Sequence, residues 1–110
     1  MDDMDSWKKI TEECYYNQEY IFPTQQQDVL KIVKKATACA NIKKVVIFGS
    51  SVTAQCNPWS DIDVYLEQEA EFPEITFEDL ENPVDRWTNF TADGALMEEI
   101  NKKGVCVYEK

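Results

Sequence analysis

The run Val45-Val46-Ile47-Phe48 constrains this chain more than any other feature of its sequence. Four consecutive apolar residues, three β-branched and one aromatic, leave no polar face for water. Such a run suits a central strand buried on both sides. Gly49-Ser50-Ser51 breaks it; a short helical turn is expected over Val52 to Cys56, and Asn57-Pro58-Trp59-Ser60 supplies a turn. The next strand is patterned differently. In Asp61-Ile62-Asp63-Val64-Tyr65-Leu66 the period is two, so Ile62, Val64 and Leu66 point one way while Asp61, Asp63 and Tyr65 point the other.

The rest of the chain supplies elements to cover these strands. Trp7, Ile10 and Cys14 recur at helical spacing, which predicts an amphipathic helix over about Ser6 to Asn17, capped by Asp5 or Ser6. Tyr15, Tyr16, Tyr20, Ile21 and Phe22 then form an aromatic-rich patch. It reads as a chain end folded onto the core or, alternatively, as a contact surface for another chain. Thr24-Gln25-Gln26-Gln27 fits a capping box, and the stripe Val29, Ile32, Val33, Ala36, Ala40 predicts a core-facing helix that stops near Asn41.

From Glu67 to Glu81 there are seven acidic residues and no basic one, so this stretch reads as a solvated connector, with a short helix near Phe77 to Leu80. Val84 to Phe90 is a third strand candidate. A helix from Asp93 to Lys103 turns Leu96, Met97 and Ile100 inward and ends at Lys102-Lys103-Gly104, before a terminal strand Val105 to Tyr108. The expected organisation is a helical extension over 1–22 and one domain over 23–110, without repeats.

Charge narrows the chemistry. Eleven Lys and Arg stand against 21 Asp and Glu, for a formal charge of -10, and there is no histidine. Catalysis by Ser-His-Asp or Cys-His arrangements and His-ligated zinc are therefore excluded. An acidic chain is a poor partner for nucleic acid or an anionic membrane, so neither is expected to bind directly. No apolar run approaches the ~20 residues that span a bilayer. The acidic start Met1-Asp2-Asp3-Met4-Asp5 lacks the character of a signal peptide. Cys14, Cys39, Cys56 and Cys106 are scattered without a C-x-x-C pair, which fits reduced thiols and a cytoplasmic location.

Carboxylates are then the candidate reagents. Asp61 and Asp63 lie ~6.6 Å apart along one strand face. Their mutual repulsion would be relieved by a divalent cation such as Mg²⁺, which prefers oxygen ligands and phosphate company. Gly49 lets the backbone approach a ligand closely, and Ser50 adds a hydroxyl donor, so the pair is a candidate phosphate contact. Trp59, beside Asp61, either stacks on a base or packs over the turn.

Phe48-Gly49-Ser50 followed by Ser60-Asp61-Ile62-Asp63-Val64 resembles the signature of the nucleotidyltransferase superfamily related to DNA polymerase beta. The length and layout look like the minimal nucleotidyltransferases, antitoxin-type domains often paired with a HEPN-type protein. The resemblance covers roughly Thr24 to Glu109 and implies an α/β fold, a small mixed sheet with helices packed on it. It also implies a third carboxylate on a later strand, for which Asp85 is the candidate; a strand-start residue beside Pro83 is the plainer reading.

What the resemblance implies for function is metal-dependent transfer of a nucleoside monophosphate, with AMP the family-based guess, from a nucleoside triphosphate to a hydroxyl, such as one on a partner toxin. Asp61 and Asp63 would hold Mg²⁺ (or Mn²⁺) against the triphosphate, Asp85 would complete a second metal position, and Gly49 with Ser50 would hold the phosphates. Members commonly carry arginine two and four residues after the signature glycine, then a second glycine. Here those positions are Ser51, Thr53 and Ala54. The departure leaves an alternative: a catalytically degenerate binding module, or an antitoxin acting by contact alone.

Overall fold

A computed structural model of the chain describes residues 7–9, 11, 13–53 and 60–110. Its main elements are α1 (Gln26–Ala38), β1 (Ile42–Phe48), β2 (Ile62–Gln68), β3 (Val84–Thr88), α2 (Gly94–Lys103) and β4 (Val105–Glu109). The strands form one sheet in the order β3-β2-β1-β4. β1 runs antiparallel to both β2 and β4, while β3 lies parallel to β2. The fold is the α/β arrangement expected, a small mixed sheet packed by helices.

The apolar run on β1 is buried on both faces. Val45 and Ile47 join Val29, Ile32 and Ala36 of α1 and Ile62, Val64 and Leu66 of β2 in one core layer. Val46 and Phe48 turn to the other face, where Tyr65 and Ile100 complete a second, smaller layer with Leu96, Met97 and Trp87 packed against it. The period-two pattern of β2 thus divides its residues between an α1 side and an α2 side. Burying each large apolar side chain here contributes about 1.5–3 kcal/mol, and β1 collects that contribution from both layers.

The helix ends differ in how they are made. α2 opens on Asp93, whose carboxylate accepts the Leu96 amide at 2.8 Å, and its last turn carries Lys102 and Lys103. α1 is instead preceded by a 3-10 turn over Pro23–Gln25, and no side chain caps it. The capping box expected on Thr24 does not form, because Pro23 fixes a tight turn there and Gln25 is drawn inward.

The helix expected over Ser6 to Asn17 is also not formed by the described residues of that segment, and a 3-10 turn over Gln18–Tyr20 follows them. Asn17 adopts a left-handed φ of 61°, and side chains replace the helical ladder. Fully buried Gln18 accepts the Tyr15 amide at 3.2 Å and donates to Thr11 Oγ1 at 2.7 Å and Gln26 Oε1 at 3.0 Å. Asn17 Nδ2 donates to the Cys106 carbonyl at 2.9 Å, which ties the segment to β4.

The aromatic patch consequently belongs mostly to the core. Tyr15 and Ile21 are buried, the Tyr15 hydroxyl donates to the Gln26 carbonyl, and Trp7 meets Phe22 edge-on at 5.4 Å. Tyr16 is the member left exposed.

The acidic connector is anchored rather than merely solvated. Ile75, Phe77 and Leu80 pack on the α1 side, Asp28 accepts the amides of Glu81 and Asn82, and Lys35 pairs with Asp79 at 2.9 Å. In place of the short helix near Phe77 to Leu80 there is a single turn closed by Leu80 N–H on the Phe77 carbonyl. Most of the turn expected over Val52 to Cys56, together with Asn57, Pro58 and Trp59, lies outside the described residues. Among the described residues no helix is long and apolar enough to cross a membrane.

Candidate carboxylate site

Strand register gathers the carboxylates. The end of β1 and the starts of β2 and β3 lie at the same edge of the sheet, with Phe48 opposite Asp63 and Asp63 opposite Asp85. Asp63 shares the strand face of Tyr65, and Asp85 that of Trp87, so both belong to the α2 side. Asp61 immediately precedes β2 and is exposed.

Gly49 is locked against this site. Its φ is +75°, a conformation that side chains other than hydrogen rarely adopt. A β-carbon there would overlap Asp63 Oδ2 and stand 3.1 Å from Cγ. The glycine therefore serves the close approach of its backbone to a carboxylate.

Asp63 is half-buried, and its carboxyl is pushed from the ordinary aspartate value of 3.8 up to about 6. Burial is the largest cause, followed by the charges of Asp85, Asp61 and Glu99. Every one of those neighbours is acidic. Glu99 reaches the site from α2 and was not legible in the sequence, where it reads as one of two consecutive surface acids.

The Gly49-Ser50 half of the expected site is a local turn. Gly49–Val52 forms a four-residue 3-10 turn, not the first turn of an α-helix. The Ser50 carbonyl accepts both the amide and the hydroxyl of Thr53. Ser51, where the family resemblance would place a cation, is fully buried and donates from Oγ to Gln25 Oε1 at 3.0 Å. Gln25 in turn donates to the Ser60 carbonyl at 3.0 Å, so one buried amide joins the Gly49–Val52 turn to the approach to Asp61. In the sequence Gln25 reads only as part of a capping box.

Arg86 does not replace the absent cations. It alternates with Asp85 on β3 and so faces the α1 side, where it pairs with Glu74 at 3.0 Å and donates to the Ile75 carbonyl at 3.2 Å. Its guanidinium also sits 6.0 Å from the centre of the Phe77 ring.

The structure thus brings Gly49, Asp63 and Asp85 together. Asp61 stands at the exposed rim, and the Ser50 carbonyl closes a local turn. Among the described residues no group of three or more His, Cys, Asp or Glu side chains is placed to hold a metal ion. A cleft of about 320 Å³ lies elsewhere, against Glu71, Glu74, Arg86, Trp87, Thr88 and Thr91.

No curated protein matches the chain. A family model for the nucleotidyltransferase domain matches residues 27–107, from the first turn of α1 into β4. With that span covered, and with the glycine-to-aspartate edge of the sheet built from the matched strands, the chain belongs to the nucleotidyltransferase domain family.

Proposed function

We propose that this chain is a nucleotidyltransferase-fold binding module that acts on a partner protein by contact, its carboxylate site lacking what nucleotide transfer requires. The observation that carries this reading is the engagement of Arg86 and Ser51 away from the carboxylate edge, the one in an ion pair with Glu74 and the other in a buried hydrogen bond to Gln25. A triphosphate needs cations or a helix N-terminus to offset its charge. Here Arg86 is engaged on the opposite face, Ser51 is buried, and the turn after Gly49 is too short to supply a helix dipole. A HEPN-type toxin is the partner class that the family resemblance suggests.

A second reading is favoured by the costs built into the same edge. Asp63 opposite Asp85, with Gly49 in a left-handed conformation against them, is an arrangement that a divalent cation would relieve. On this reading the protein transfers AMP from ATP to a hydroxyl of its partner, with Mg²⁺ or Mn²⁺ held by Asp63, Asp85 and Asp61.

One experiment separates the two. The chain is incubated with α-labelled ATP, Mg²⁺ and a co-expressed HEPN-type protein, alongside the variant carrying Asp61→Ala, Asp63→Ala and Asp85→Ala. Contact alone predicts no label on the partner and equal co-purification with both proteins. Label transfer that the triple variant abolishes would overturn the contact reading and establish the enzyme.

A further inference from the structure

The aromatic patch near the start of the chain is spent on the core, so a contact function needs another surface. Among the described residues the large apolar side chains left exposed are Tyr16, Phe72 and Phe90, at 68%, 66% and 49%. Two of these three are chain neighbours of one cleft's lining residues. Phe72 lies in the chain between Glu71 and Glu74, Phe90 between Thr88 and Thr91, and all four of those flanking residues line the 320 Å³ cleft beside β3.

The two segments are fixed relative to each other through Gln68. Its side chain donates to the carbonyls of Ala70 and Glu71, and its backbone exchanges two hydrogen bonds with the Asn89 side chain, at 2.9 and 3.0 Å. The cleft is thus built on a sheet end rather than on free loops, and β3 is an edge strand.

Charge identifies the occupant. The connector 67–81, which supplies Glu71 and Glu74 to the cleft, carries seven acidic residues and no basic one, and the cleft's Arg86 is already paired with Glu74. The other ten basic residues fall within 8–44 and 102–110. A strongly acidic flank repels nucleic acid and anionic lipid and attracts a cationic surface. The lining is polar, unlike the mostly apolar walls of small-molecule pockets, while the exposed phenylalanines offer the kind of aromatic anchor that dominates protein contacts.

We infer that this cleft is the docking surface for a partner protein, engaged through a lysine- or arginine-bearing segment that also carries an apolar side chain. The inference rests on the contact reading and adds to it the surface and the chemistry of the partner. It concerns the far end of β3, away from Asp63 and Asp85, so the two can fail separately.

The test uses the full chain, labelled with ¹⁵N, and three synthetic 12-residue probes: one of Lys, Leu and Gly, one with Glu in place of Lys, and one with Ser in place of Leu. The Lys-Leu peptide should shift the amides of Glu71, Glu74, Trp87, Thr88 and Thr91. Its affinity should fall at least tenfold in the Phe72→Ser/Phe90→Ser variant and in Glu69→Gln/Glu71→Gln. The variant Glu98→Gln/Glu109→Gln, with the same charge removed elsewhere, should bind as the parent does. Equal binding of the Lys-Ser peptide, shifts spread over the whole surface, or affinity unchanged by loss of the phenylalanines would each overturn the inference. So would self-association that the phenylalanine variant abolishes, since the occupant would then be a second copy. Label transfer to a partner would instead refute the contact reading and leave the peptide result standing.

Discussion

Replacing Asp63 by asparagine should stabilise the protein in a pH-dependent way. The Asp63 carboxyl titrates at about 6 in the folded chain against 3.8 ordinarily, because burial and the charges of Asp85, Asp61 and Glu99 disfavour its ionised form. Below the unfolded value the group is neutral in both states and costs nothing. As pH rises through the interval the unfolded chain ionises first, and stability is lost until the folded carboxyl has also titrated. A rise of about two pH units corresponds to roughly 3 kcal/mol for a fully buried group. Asp63 is only half-buried, so screening by water reduces the expected effect to about 1–2 kcal/mol. Asparagine keeps the shape and removes the charge. Urea denaturation at pH 4 and pH 8 should therefore give nearly equal stabilities for Asp63→Asn and parent at pH 4, with the variant ahead by about 1–2 kcal/mol at pH 8. A difference that is flat across this range, or a variant less stable at pH 8, would refute the argument that acidic neighbours and burial govern this site.

Two other substitutions probe the local geometry. Gly49→Ala should destabilise by at least the ~1–2 kcal/mol that a left-handed backbone costs a side-chain-bearing residue, and Asp63→Ala should recover the part due to overlap with the carboxylate; a double-mutant cycle in urea measures the coupling, and strict additivity would contradict the contact. Asp93→Ala should cost about 1 kcal/mol through loss of the α2 cap, whereas Thr24→Ala, at an exposed position that caps nothing, should remain within about 0.5 kcal/mol of the parent in thermal melts.

What the sequence disclosed follows the range of the forces involved. β1 and β2 were legible because burial on two faces leaves a continuous or alternating apolar pattern in adjacent residues, and Gly104 with Lys102-Lys103 marked the end of α2 for equally local reasons. The edge that joins Gly49 to Asp63 and Asp85 followed from strand order, which a family signature carries but periodicity does not. The segment before α1 misled because Trp7, Ile10 and Cys14 fit a helical period, while the interactions that shape it connect Gln18 to Thr11 and Gln26, and Asn17 to Cys106. Glutamine is ordinarily a surface residue, so the burial of Gln18, Gln25 and Gln26 has no local signature.

Ser51 shows how such distant contacts decide function. The sequence establishes only that no arginine stands two residues after Gly49. The structure adds that the side chain at this position points inward, into a fully buried hydrogen bond with Gln25, which also holds the Ser60 carbonyl. An arginine placed there would remove the Ser51 hydroxyl and leave Gln25 Oε1 without that donor. Unpaired buried polar groups cost about 1–3 kcal/mol each, so the loss of a cation at this position is built into the packing that sets the distance between Gly49 and Asp61. The same network that ties the Gly49–Val52 turn to the approach to Asp61 thus also fixes which side chain this position can carry.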